Sequence, residues 1–136
     1  MTLMLQREVA ERLTAKAGAM SLLGLSVQFY AQPQLIARVD KRDFWPEPEV
    51  QSAIVHLTVK DKLPLKNEDI KLFFRLARVG FSAKRKMLKN NLAAGLHQPS
   101  DEVAKALIDA GFSEKIRAQD LSLDDWLKLF NFLKHF

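Results

Sequence analysis

The chain has no cysteine, which excludes disulfides and thiolate metal sites and is compatible with a reducing cytoplasm. Its three histidines, His56, His97 and His135, lie far apart and show no ligand spacing of the H-E-x-x-H kind, so a zinc site is not expected. No apolar run is long enough to span a membrane, the N-terminus carries no signal-peptide pattern, and repeats and low-complexity tracts are missing. A cytoplasmic setting away from membranes is the resulting expectation. The sharpest lack is local. Between Ile70 and Ser100 there is not one Asp or Glu, while Lys71, Arg75, Arg78, Lys84, Arg85, Lys86 and Lys89 all fall there. Without those seven, 14 basic residues face 16 acidic ones, so the net charge of +5 over 136 residues comes from this one segment. A single-sign patch on an otherwise mixed surface suits a polyanion, and the absence of balancing carboxylates favours nucleic acid over an idle solvated helix face.

The spacing adds to the count. On a helix, Lys71, Arg75, Arg78, Arg85 and Lys89 stay near one stripe, while Phe74, Ala77, Phe81, Leu88 and Leu92 take another. Gly80-Phe81-Ser82 interrupts the run, with Ser82 as the N-cap of a second helix beginning at Ala83. Lys84, Arg85 and Lys86 would then crowd the positive end of a helix dipole, an arrangement that makes sense if an anion sits there.

Elsewhere, Met1 to Gln6 reads as a buried strand feeding a helix over 7–17 that stops at Gly18. Ser21 to Ala31 reads as a helix. Gln34 to Val39, after Pro33, and Ser52 to Val59 read as antiparallel strands, the second with Val55, Leu57 and Val59 on one face and Ile54, His56 and Thr58 on the other. Their connection, 40–50, holds Pro46 and Pro48, which bar it from a central strand, and the adjacent aromatics Phe44 and Trp45. That pair either lids the core, which composition alone favours, or offers a stacking platform for a base. Beyond a linker at 61–65, helices are expected over 67–80, 83–95, 101–110 and 123–134. Ser100 is the N-cap of the third, with Gly111 closing it. Ser122 and Asp125 form a capping box before Leu123, Trp126, Leu127, Phe130 and Leu133, with Trp126 and Phe130 as core anchors. The expected fold class is α/β over 1–62 followed by all-α over 63–136.

Four ordered blocks carry a resemblance: LQREVAERL (Leu5 to Leu13), FWPEPEVQSAIV (Phe44 to Val55), FSAKRKMLKNNL (Phe81 to Leu92) and RAQDLS (Arg117 to Ser122). Together they resemble the small-subunit ribosomal RNA adenine dimethyltransferases of the KsgA type, and FSAKRKMLKNNL is the most specific. The resemblance implies a Rossmann-like class I methyltransferase domain followed by a small helical domain, S-adenosylmethionine as methyl donor, and dimethylation of two adjacent adenosines of small-subunit rRNA. It makes 1–62 the C-terminal part of an incomplete methyltransferase domain and 63–136 the rRNA-binding helical domain, in a monomer whose partner is small-subunit rRNA or the pre-ribosomal small subunit.

Phe44 matches the family position whose ring packs against the extruded adenine, with Pro46 and Pro48 holding the loop; base flipping needs such a π-surface to offset lost stacking. Lys84, Arg85, Lys86 and Lys89, with Asn90 and Asn91, match the basic block and would contact rRNA backbone, Lys71, Arg75 and Arg78 extending it. For the two asparagines, capping or bridging helices is an equal alternative. Two family features have no counterpart: KAGAM at 16–20 is not equivalent to a glycine-rich cofactor loop, and no N-[IL]-P-Y motif occurs. KAGAMSLLGLSV also replaces a longer family loop that carries an aromatic-glycine pair. The chain is therefore expected to be the C-terminal half of such an enzyme, without catalytic or cofactor-binding residues and inactive alone. A standalone non-catalytic RNA-binding module acting in ribosome assembly is the alternative.

Overall fold

Strand β3 (Ser52–Val59) is the centre of a three-stranded sheet, with β1 (Thr2–Gln6) and β2 (Ala31–Val39) antiparallel on either side of it. The structure is a computed structural model and describes residues 1–43, 45–46 and 51–136. The chain divides into two compact units, Met1–Ala15 with Leu23–Leu63 and Lys16–Leu22 with Pro64–Phe136.

In the first unit β3 alternates as a half-buried strand should. Ala53, Val55 and Leu57 form the core with Ala10 and Ala31, and Leu3, Leu5, Val27 and Leu35 pack against them. On the opposite face Thr2 Oγ1 meets His56 Nδ1 at 2.9 Å. Val59, expected inside with Val55 and Leu57, is 68% exposed because it lies past the packed part of the strand. Strand β2 starts at Ala31 rather than Gln34 and takes Pro33 into register opposite Leu57. An edge strand tolerates this, since the missing N–H can fall on its unpaired side.

Helix α1 (Arg7–Leu13) leaves β1 directly and ends well before Gly18. Thr14 Oγ1 turns back onto Ala10 O at 3.1 Å, and Gln28 Nε2 on α2 (Leu22–Tyr30) takes the carbonyls of Leu13 and Ala15 at 3.0 and 2.9 Å. These bonds satisfy carbonyls that a longer helix would otherwise use. After β2, Asp40 accepts from the Arg42 backbone N–H at 2.9 Å and from its guanidinium at 3.0 Å. That hydrogen bond, helped by the charge of Asp40, raises the Arg42 pKa above its ordinary value. Trp45 stands 96% exposed, so it is no lid over a core. Phe44 and Pro48 lie outside the described residues.

The second unit packs α3 (Asn67–Gly80), α4 (Leu88–Leu96), α5 (Ser100–Asp109) and α6 (Leu123–Leu133) around Phe73, Leu88, Leu92, Val103, Leu107, Leu121, Trp126, Leu129, Phe130 and Leu133. Trp126 and Phe130 are buried as expected; Phe73, rather than Phe74, carries the apolar face of α3 and meets Phe130 edge-on at 5.8 Å. Glycine lets α3 approach α6. A Cβ at Gly80 would come within 2.6 Å of Trp126 Cη2. Helix α5 closes on Gly111 at φ 92°, with Phe112 N–H on Leu107 O and Gly111 N–H on Ile108 O, both 2.9 Å. This is the paired-bond helix stop for which glycine is suited. No helix among the described residues is long and apolar enough to cross a membrane.

At the start of α6, Ser122 Oγ accepts from Asp125 N–H and Asp125 Oδ2 accepts from Ser122 N–H, each at 3.1 Å. Replacing Ser122 with alanine removes one arm of this box and is expected to cost about 1 kcal/mol. Urea denaturation would show it as a lower midpoint at unchanged slope; an unmoved midpoint would mean the cap does not stabilise α6.

Candidate nucleic-acid interface

Helix α3 places Lys71, Arg75 and Arg78 one turn apart on a single exposed face, opposite buried Phe73, Leu76, Ala77 and Gly80. The apolar residues are in the core and the cations are therefore forced outward. No second helix begins at Ala83, and Ser82 is not its N-cap. Ser82 Oγ instead donates back to Val79 O at 2.6 Å, capping the end of α3, and the chain from Phe81 to Lys86 forms turns until α4 starts at Leu88. Lys86 N–H closes one such turn onto Ala83 O at 3.2 Å.

Two tertiary anchors explain why residues of good helix propensity stay non-helical. The side chain of Asn91, 5% exposed, donates from Nδ2 to Gly80 O at 2.9 Å and to Ala83 O at 3.0 Å, and Leu88 N–H donates to Ile116 O at 2.8 Å. Helical bonds could not form through 83–87 without breaking these, and like charges at a helix N-terminus are unfavourable as well. Lys84, Arg85 and Lys86 therefore do not converge on free N–H groups at the head of a helix. They project from a turn pinned at both ends, and all three are exposed.

Of the two asparagines, Asn91 bridges α3 to the turn from a buried position, while Asn90 is exposed on α4. The run that lacks carboxylates in sequence acquires one in space: Lys89 Nζ lies 3.8 Å from Glu114 Oε2 and its side chain is largely covered. A pair so open is weak, yet it marks Lys89 as less available than its neighbours. Among the described residues none of Lys71, Arg75, Arg78, Lys84, Arg85 and Lys86 pairs with a carboxylate. Six exposed cations of α3 and the turn that follows it are thus without internal compensation among the described residues, and two of them, Arg78 and Lys86, line one opening. Sequence reasoning missed a groove of about 510 Å³ beside them, lined by Arg78 and Lys86 above Val79, Ala94 and Gly95, with Asn91 at its side. The one available signal was Gly95, where an added Cβ would overlap Val79 Cγ1.

Among the described residues of the first unit, the strand-to-helix junction at Gln6–Arg7 does not fit S-adenosylmethionine. A dinucleotide-type or methyl-donor cradle needs a glycine loop with free N–H groups between strand and helix. Here Gln6 ends β1 and Arg7 begins α1, Arg7 N–H is taken by Gln51 O at 2.9 Å, and its guanidinium binds Gln51 Oε1 at 2.9 Å and Glu11 at 3.1 Å. The shallow opening there, about 240 Å³ among Gln6, Arg7, Glu8 and Gln51, has no glycine in its lining.

The family model for ribosomal RNA adenine dimethylase matches residues 1–135. "Ribosomal RNA small subunit methyltransferase A" of Chlamydia felis is 45% identical over 134 residues, 97% of this chain and 46% of its own length. Its namesake from Dehalococcoides mccartyi is 42% identical over 129 residues, 95% of this chain and 44% of the relative. Among solved structures, a dimethyladenosine transferase from Plasmodium falciparum is similar at a TM-score of 0.72 with 29% identity, covering 96% of this chain and 56% of that one. The 23S rRNA methyltransferase ErmE is similar at 0.77 with 25% identity, covering 98% and 54%. The chain spans about half the length of these proteins. With nearly every residue matched, it belongs to the ribosomal RNA adenine dimethylase family.

Proposed function

We propose that this chain is the RNA-gripping part of an rRNA adenine dimethyltransferase acting on small-subunit rRNA, its helical unit holding the phosphate backbone while methyl transfer draws on residues outside it. The observation that carries this is the surface of Lys71, Arg75, Arg78, Lys84, Arg85 and Lys86, six exposed cations with no carboxylate paired to them among the described residues. Such a surface gains from counterion release when it meets a phosphate backbone and gains little otherwise. The small-subunit assignment is supported by the names of the Chlamydia and Dehalococcoides relatives.

S-adenosylmethionine would supply the methyl group in the whole enzyme. Phe44 would face the target adenine. The work of these residues is to bind and orient: cations fix the register of the RNA, and phosphate contacts of this kind position without reading sequence. A standalone RNA-binding module draws no support from a family match that runs through both units.

The test is a salt titration of the 136-residue chain on a small-subunit rRNA fragment. With four to six phosphates neutralised, log K is expected to fall against log salt with a slope of roughly −3 to −5. A flat profile would reject the proposal.

A further inference from the structure

Resting on that reading, we infer that the groove between α3 and α4 seats one ribonucleotide of the bound RNA and distinguishes RNA from DNA through the side-chain oxygen of Asn91. Both N–H groups of the Asn91 amide are occupied, one on Gly80 O and one on Ala83 O, so the only polar atom the side chain has left to offer is Oδ1, an acceptor. Among the described residues Trp126 Nε1 alone is a side-chain polar atom sealed from solvent without a partner. Oδ1 of Asn91, which accepts no bond from those residues, is therefore left with some contact with solvent, and Asn91 is among the residues that line this groove.

This acceptor, on a residue only 5% exposed and with no protein donor among the described residues, takes its donor from whatever fills the groove, water or a ligand group. The rest of the groove defines that ligand. Arg78 enters from α3 and Lys86 from the turn, both exposed, so an anion is held at the rim. Val79, Ala94 and Gly95 make an apolar floor, kept shallow because α3 and α4 touch where Gly95 has no Cβ. A phosphate at the rim, a flat apolar face on the floor and a hydroxyl donor between them describe a ribonucleotide. Within an RNA strand the sugar's free donor is the 2′-OH, which DNA lacks.

The experiment compares binding of a fluorescent twelve-nucleotide RNA with its 2′-deoxy and 2′-O-methyl counterparts of the same base sequence, to the 136-residue chain and to Ala94→Leu. Ala94 is exposed on α4, so leucine fills the groove without removing a cation or disturbing the core. The expected result is at least about fivefold tighter binding of the ribo form by the parent chain, the net loss of one hydrogen bond being of that order. Ala94→Leu should bind all three forms alike while keeping most of the salt dependence. Salt-dependent binding with equal affinities in the parent chain, or a ribo preference that Ala94→Leu leaves intact, overturns the groove assignment and spares the basic surface. Absence of salt-dependent binding to any oligonucleotide overturns the proposed function, and the groove assignment with it. The comparison in the parent chain requires no variant to fold.

Discussion

Replacing Trp126 with alanine is expected to destabilise the helical unit by about 3–5 kcal/mol. The indole is 2% exposed, lies against the bare Cα of Gly80, and stacks on Phe81 with ring centroids 5.5 Å apart. Alanine leaves a void that α3 and α6 cannot close without breaking their own packing. Not all of the ring stabilises, because Nε1 is buried without a partner among the described residues and its lost hydration offsets part of the apolar gain. Trp126→Phe removes that orphan donor together with some volume, and its expected cost is smaller, about 1–2 kcal/mol. Denaturation followed by helical circular dichroism is the suitable readout, since exposed Trp45 would mix into tryptophan fluorescence. Equal losses for Phe and Ala would show that volume does not set the cost; a loss under about 1 kcal/mol for Ala would show that the pocket collapses freely. Phe81 opens the turn that carries Lys84, Arg85 and Lys86, so the same substitution removes one support of the basic surface.

Trp126, Phe130 and the capped start of α6 are legible in the sequence because each rests on local rules: a helical apolar period and an S-x-x-D box whose bonds lie within one turn. Gly111 is legible for the same reason. The antiparallel pairing of β2 with β3 can also be read, from alternation and the long connection. The turn at 81–87 is legible only at its start, where Gly80-Phe81-Ser82 marks the end of α3. Residues 83–87 favour helix locally, and what prevents one is a buried amide at Asn91 and the carbonyl of Ile116, outside the stretch itself. The early end of α1 escapes for a like reason, since Gln28 collects the carbonyls from another helix. For the site, the identity of the cations is read from charge alone, but their availability is not. Lys89 meets Glu114 only in three dimensions, and Asn91 turns inward while Asn90 stays outside. The exposed state of Trp45 runs against a composition that favours a core lid, because aromatics on a loop carry no signal of which way they face.

The triple substitution Lys84→Ala, Arg85→Ala, Lys86→Ala is expected to weaken binding to a small-subunit rRNA fragment by about 10- to 100-fold near 0.1 M salt, and to make the log K against log salt slope shallower by roughly 2 to 3. The charges can be removed without unfolding the turn. Its restraints are Ser82 Oγ to Val79 O, Lys86 N–H to Ala83 O, and the Asn91 amide to Gly80 O and Ala83 O, none of which uses the side chains being replaced. All three positions are exposed, so stability should change by less than about 0.5 kcal/mol each. Lys105→Ala is the control: an exposed cation on α5, outside the basic run, whose loss should leave the slope where it was. The slope matters more than the affinity, because a variant that merely loosened the fold would weaken binding without reducing the number of counterions displaced. A triple variant that binds more weakly at an unchanged slope would therefore assign these residues to the architecture of the turn. One that binds like the parent chain, at the same slope, would move the RNA to the α3 face alone, where Lys71, Arg75 and Arg78 would remain to hold it.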